Sequence, residues 1–158
     1  MPAAERTPCA CNTLRKASRA VTRFYDESLR PTELTTTQFA VMRAVAREGK
    51  VPMRHVARTL VMDRTTFYRA IAPLLRAGDL EWVPSEEDSR AKLLRLSPSG
   101  RRRMARAARE WASAQRRMIG RIGLARWQEL SRWLLEATEH ALALQPLEKG
   151  ALRDRTVP

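Results

Sequence analysis

The sequence predicts a mainly α fold, a set of helices interrupted by one small β-hairpin. Three observations predict it. Apolar residues recur at i, i+3, i+4 and i+7 through most of the chain, the rhythm of amphipathic helices. One stretch, "LEWVPSEEDSRAKLLRLS", switches to alternation around a polar tip, as two short strands do. Helix-closing residues punctuate the pattern at Pro31, Gly49, Gly78 and Pro146. At 158 residues the chain can bury one ordinary core.

The first helix is expected from Asn12 to Leu29, with Leu14, Ala17, Val21, Phe24, Tyr25 and Leu29 on one stripe and Pro31 ending it. "LTTTQFAVMRAVAREG" is a second helix, capped near Thr35 and closed by Gly49, with Phe39, Val41, Met42 and Val45 inward. A short third helix is expected from about Pro52 to Leu60, its proline in the first turn where no N–H bond is lost. Met53, Val56, Ala57 and Leu60 form its buried side. After the break "LVM", Asp63 caps a fourth helix whose core positions are Phe67, Ile71, Leu74 and Leu75. Pro73 should kink it and make its last turn irregular, and Gly78 stops it. In the hairpin, Leu80 and Trp82 alternate on one strand and Leu94 and Leu96 on the other. Ser97-Pro98 opens a long helix reaching about Gly120. The last helix carries Leu124, Trp127, Leu130, Leu134, Leu135, Thr138 and Leu142 on one stripe and ends at Pro146.

The formal charge of +13 favours a polyanionic partner, although a general preference for arginine gives the same composition. No window is apolar enough for a membrane span, and no basic-then-apolar signal pattern opens the chain. Two cysteines make no disulfide framework, so a reducing cytoplasm is the expected compartment. His55 and His140 stand alone, without metal-ligand spacing, and no Gly-rich phosphate loop, HExxH or GxSxG pattern occurs. Nothing supports an enzyme, a cofactor or a metal site.

A short helix, a tight turn and a second helix with a polar N-terminal run form a helix-turn-helix, and the following hairpin makes it winged. Such a second helix can enter the major groove. Here it would present Arg64, Thr65, Thr66, Tyr68 and Arg69. Arginine can fork onto guanine, while threonine and tyrosine reach phosphates or a thymine methyl. In the hairpin, Arg90 follows the acidic run Glu86-Glu87-Asp88 and could enter the minor groove with Asp88 orienting it; Lys92 adds a cation nearby. Taken singly, each of these runs also fits an ordinary solvated face.

"MDRTTFYRAIAPLLRAGDLEWVPSEEDSRAKLLRLSPSGRRR" resembles the recognition helix and wing of the MarR family of bacterial transcriptional regulators, and the likeness extends over about Cys9 to Leu144. Its most specific part is Asp88-x-Arg90 followed by an apolar strand and "LSPSG". The resemblance implies a winged helix-turn-helix domain at about 35–97 and dimerisation helices at about 12–30 and 98–145. Together these form one domain over 9–145, between a flexible N-terminus (1–8) and a flexible tail (146–158). It further implies a homodimer on a pseudo-palindromic double-stranded operator, with Arg90 in the minor groove. Val61 departs from the pattern where relatives often have glycine; a β-branched residue resists positive φ, so another form of turn is expected. Asp79 and Glu81 are expected to weaken the wing's charge match to DNA.

The dimer also has a basis in the residues. Leu14, Trp111, Met118, Ile122, Trp127, Leu134 and Leu142 would stay wet in a lone chain. The run Arg101, Arg102, Arg103, Arg106, Arg109 could approach DNA at its start, with most of it a solvated face. Family members commonly bind small aromatic or lipophilic effectors where the dimer helices meet the winged domain. By position Phe24, Tyr25, Phe39, Met42, Met53 and Trp111 could line such a pocket, or simply pack the core.

The expected function is therefore a sequence-specific regulator, acting as a repressor. A basic architectural or RNA-binding protein without sequence preference is the competing class. Cys9 and Cys11 leave a third alternative open, a thiol-based oxidant sensor. In peroxide-sensing relatives a reactive cysteine begins the first helix; the matching position here is Cys11, and one supporting tyrosine matches Tyr25. Other supporting tyrosines are replaced by Arg15 and Thr36. Arg15 and Lys16 lie one turn on from Cys11, a setting that suits a reactive thiol, but an incidental surface thiol fits as well.

Overall fold

The computed structural model describes residues 7–86 and 91–145. Asp88, Arg90, Pro146, the tail at 146–158 and most of the N-terminal segment 1–8 lie outside the described residues. The chain forms two compact units, Met1–Gln115 and Arg116–Pro158. In order its elements are α1 (Ala10–Leu29), a 3-10 turn (Arg30–Thr32), α2 (Thr36–Glu48), β1 (Lys50–Pro52), α3 (Met53–Thr59), α4 (Arg64–Arg76), β2 (Leu80–Pro84), β3 (Lys92–Leu96), α5 (Pro98–Ile122) and α6 (Leu124–Ala143). The fold is mainly α with one small antiparallel sheet, as the periodicities require.

α1 starts at Ala10, earlier than the apolar stripe suggests, because Cys9 takes the N-cap position and its carbonyl accepts from Thr13 N at 2.9 Å. Of its stripe, Tyr25 and Leu29 are buried while Leu14 and Val21 stay exposed. α2 carries the expected cap: Thr35 Oγ1 accepts from Gln38 N, and Gln38 Oε1 accepts from Thr35 N. Gly49 closes it at φ 78°.

The sheet has the order β1-β3-β2. The hairpin strands pair from Leu80↔Leu96 to Pro84↔Lys92, and β1 joins through Val51↔Leu94. β1 was not expected from the sequence, since three residues are too few to show alternation. It also corrects the placing of Pro52, which ends this edge strand in extended backbone (φ −60°, ψ 136°) and caps α3 instead of opening its first turn. Trp82 shares its face with Leu80 but is exposed, although Leu94, its partner across the hairpin, is buried in the core.

Between α3 and α4 the chain corrects a second expectation. Val61 adopts φ 52°, the left-handed conformation that its β-branch opposes. Two bonds hold it there: Val61 N donates to Arg58 O at 3.0 Å and Met62 N to Ala57 O at 2.8 Å. These are the paired bonds of a Schellman cap. The end of α4 repeats them with a glycine in the same place, Gly78 N to Leu75 O at 3.1 Å and Asp79 N to Leu74 O at 2.8 Å. α4 itself runs unbroken through Pro73; Ala77 N still reaches Pro73 O at 2.9 Å, so the last turn stays helical.

One core joins these parts. Phe39, Val41, Met42 and Val45 from α2 meet Val56, Phe67, Ile71, Leu74, Leu80, Leu94 and Ala107, all buried. Each large side chain so covered contributes about 1.5–3 kcal/mol. Trp111 packs against this core instead of staying wet. Ser97 caps α5, accepting from Gly100 N at 3.0 Å.

The second unit holds the end of α5 and all of α6. No residue of α6 is buried, and Leu124, Leu130, Trp133, Leu135 and Leu142 are all exposed. Among the described residues no helix is long and apolar enough to cross a membrane. No group of three or more His, Cys, Asp and Glu side chains among them could hold a metal ion.

Candidate nucleic-acid interface

The N-terminus of α4 sorts its residues by face. Phe67, Ala70, Ile71 and Leu74 are buried, which turns Arg64, Thr65, Thr66, Tyr68 and Arg69 to solvent. Asp63 fixes the first turn: its carboxylate accepts from Thr66 N at 2.8 Å and from Thr66 Oγ1 at 2.6 Å. These bonds hold the Asp63 carboxyl below the usual aspartate range, with the hydroxyl contributing most. Thr66 therefore serves the cap with its hydroxyl proton. The Arg64 guanidinium lies over the Tyr68 ring, 5.5 Å from its centroid, so these two side chains form one stacked pair on the exposed face.

The wing adds Lys92, exposed at the start of β3 and paired in register with Pro84. Asp88 and Arg90, expected in the hairpin tip, lie outside the described residues. Lys50 of β1 reaches across to Glu86 at 2.6 Å and holds the Glu86 carboxyl below its usual range. The two acidic residues expected to oppose DNA are neutralised within the fold. Glu81 faces Arg95 across the hairpin, with Arg95 Nη2 2.8 Å from its carboxylate. Asp79 is buried and accepts from Arg103 Nη1 at 2.6 Å. Arg103 is thus removed from the arginine run that was expected to line a solvated or DNA-facing surface, whereas Arg102, Arg106 and Arg109 remain exposed.

The six residues expected to line an effector pocket fall into two groups. Phe39 and Met42 are buried in the core, with Met53 and Trp111 packed on it. The Phe39 and Trp111 rings are 6.2 Å apart, and the Arg43 guanidinium covers Trp111 at 4.6 Å. Phe24 and Tyr25 meet edge to face at 5.3 Å. The Tyr25 hydroxyl donates to Gln115 Oε1, and burial pushes its phenol up from the usual tyrosine value. An open groove of about 720 Å³ lies elsewhere, along α1 and the segment before α2, bordered by Arg19, Arg23, Asp26, Glu27, Glu33 and Leu34. None of the six expected residues borders it.

Cys9 and Cys11 are free and exposed, at the N-cap and in the first turn of α1. Tyr25 lies fourteen positions further along the same helix, about 21 Å at 1.5 Å per residue, so within one chain it does not support Cys11.

Sequence reasoning missed the buried Asp79–Arg103 pair and the reason for Gly100. A Cβ at Gly100 would fall 2.0 Å from the Asp79 carbonyl oxygen, so only glycine fits where α5 crosses the end of α4. The glycine of "LSPSG" was the visible signal; the partner it abuts was not.

Residues 34–100 match a family model described as a winged helix DNA-binding domain. The multiple antibiotic resistance protein MarR of Salmonella typhimurium is 30% identical over 78 residues, 49% of this chain and 54% of that protein. The chain therefore spans about half the length of the curated relatives it matches. The Mycobacterium tuberculosis transcriptional regulator MosR, crystallised with DNA, superposes with a TM-score of 0.78 at 28% identity, over 88% of this chain and 100% of that one. A MarR variant from Escherichia coli, complexed with operator DNA, gives 0.72 over 80% of this chain and 91% of its own; at 17% identity that likeness concerns the fold. With the capped α4, the hairpin that follows it and these similarities in agreement, residues 34–100 of the chain form a winged helix DNA-binding domain, and the chain is similar to the transcriptional regulators MarR and MosR.

Proposed function

We propose that this protein is a sequence-specific DNA-binding repressor that acts in the cytoplasm, as a homodimer on a pseudo-palindromic operator, and is released by a small aromatic or lipophilic effector. The observation that carries the reading is α4. Its apolar face is locked in the core, and its first two turns offer Arg64, Thr65, Tyr68 and Arg69 to solvent on a chain of charge +13. An exposed helix start of this kind fits the major groove, with Thr66 holding the cap and Lys92 reaching phosphate. The resemblance assigns Arg90, oriented by Asp88, to the minor groove. That MosR and MarR were crystallised with DNA supports the same reading. The unburied α6 supports the homodimer, since its exposed leucines and Trp133 need a covering surface.

Selection of bound genomic DNA, followed by footprinting at fixed salt, tests this. A palindromic site bound far more tightly than random duplex is expected. Uniform binding to every duplex would instead make the protein a non-specific architectural one. Arg90→Ala should weaken operator binding strongly while leaving thermal unfolding unchanged.

Exposure of both thiols at the start of α1 favours a second reading, release by oxidation at Cys11. Adding peroxide to the operator complex distinguishes it: Cys11→Ser should abolish the oxidant-induced release. Release that persists in this variant, or none in the wild type, ends that reading.

A further inference from the structure

The far end of α4 is held by bonds from the start of α5 and from Ser97 just before it. Ser97 Oγ donates to Gly78 O at 2.6 Å, Ser99 Oγ donates to the same carbonyl at 3.1 Å, and Ser97 N donates to Asp79 O at 3.0 Å. One turn further along α5, Arg103 extends this anchor. Its Nη1 donates to Asp79 Oδ2 at 2.6 Å, its Nε to Thr32 O at 2.9 Å and its Nη2 to Glu33 O at 2.8 Å. One guanidinium thereby joins three separate segments: the α4–β2 turn, α5, and the α1–α2 connection. Both side chains of the ion pair are withdrawn from water, 18% exposed for Arg103 and 5% for Asp79. A lysine would keep the charge but carries its three donors on one nitrogen, whereas here Nε, Nη1 and Nη2 each reach a separate acceptor.

We propose that Arg103 is a positioning residue for base readout, one that sets the angle at which α4 presents Arg64, Thr65, Tyr68 and Arg69. This rests on the DNA-binding function proposed above. α4 has 13 residues and is about 20 Å long, so a tilt of about 5° at its anchored end displaces its N-terminus by roughly 1.7 Å. Base recognition requires placement within about 0.5 Å, whereas phosphate contacts carry no sequence information. Loosening the anchor therefore erodes sequence preference before it erodes general affinity.

The test compares full-length wild type, Arg103→Lys, Arg103→Met and the double variant Asp79→Leu/Arg103→Met. For each, the ratio of operator to random-duplex affinity is measured at fixed salt, beside the thermal midpoint. Arg103→Met leaves Asp79 buried without its partner and should lower the midpoint; the double variant removes that charge and should recover it. The double variant should nevertheless show a ratio reduced about tenfold, with random-duplex affinity within about twofold of wild type. Arg103→Lys should fall between. A wild-type ratio in the double variant or in Arg103→Lys overturns the proposal, as does failure of all three variants to fold, which would make Arg103 a folding residue instead. A wild type with no sequence preference overturns the parent reading and this one with it.

Discussion

Val61 occupies a backbone conformation that its own side chain opposes. At φ 52° its β-branch crowds the backbone, and with the residue 56% exposed it gains little from packing. Val61→Gly should therefore stabilise the protein by about 1 kcal/mol, seen as a raised denaturant midpoint with an unchanged slope. A lowered midpoint would show that the valine side chain matters more than the strain. The sequence marked this position as unusual but pointed to the wrong resolution, because the two compensating bonds involve only backbone and leave no trace in residue type. Asp63 illustrates the opposite case, a role readable from residue type alone. Its carboxyl is depressed by the Thr66 bonds, so its contribution is fully present above the ordinary aspartate range and fades as pH falls through the lower, folded-state value. Asp63→Asn, which keeps a capping oxygen, should remove that share of acid sensitivity. Comparing unfolding midpoints at pH 7 and at about pH 3 checks this; equal losses in both proteins would deny the cap its charge.

At the scale of elements, the helices were legible because each carries its own apolar face and its own stops. Thr35, Gly49, Asp63, Gly78 and Ser97 were readable as boundaries, and all five act as such. β1 was not, for it exists only by pairing with β3. The candidate interface was legible in part. Arg64, Thr65, Tyr68 and Arg69 share an exposed face, but the acidic residues around them read as a liability when they are in fact paired. Their partners, Arg95 and Arg103, are 14 and 24 positions away, beyond the reach of local pattern. If α4 reads bases, Arg64→Ala or Arg69→Ala should change which sequences are preferred, by roughly 1–3 kcal/mol at the affected base pair. Lys92→Ala should instead weaken all duplexes alike and reduce the salt slope by about 1. A binding scan of base-substituted duplexes over a salt series separates the two. Lys92→Ala altering preference, or Arg64→Ala leaving it intact, would reverse these assignments.

At the scale of the whole molecule, the second unit carries the proposed homodimer. α6 has no fully buried residue, although its sequence is rich in leucine and tryptophan. A helix of this kind is stable when a second apolar surface covers it. Introducing charge at two exposed positions, Leu130→Glu with Leu142→Glu, should convert a dimer to a monomer in sedimentation and weaken operator binding by much more than either half-site loss alone. The winged unit, with its separate core, should keep its fold in that variant. A variant that still sediments as a dimer would move the interface elsewhere.

The claim that organises all of this is that α4 reads sequence, twice, on symmetric DNA. Its most direct measurement is operator affinity at fixed salt, with each base pair of the selected site changed in turn. Two mirror-related clusters of sensitive positions are predicted, centred about one helical turn apart or a multiple of it, each change costing about 1–3 kcal/mol. A flat profile, with no position more sensitive than another, would contradict it.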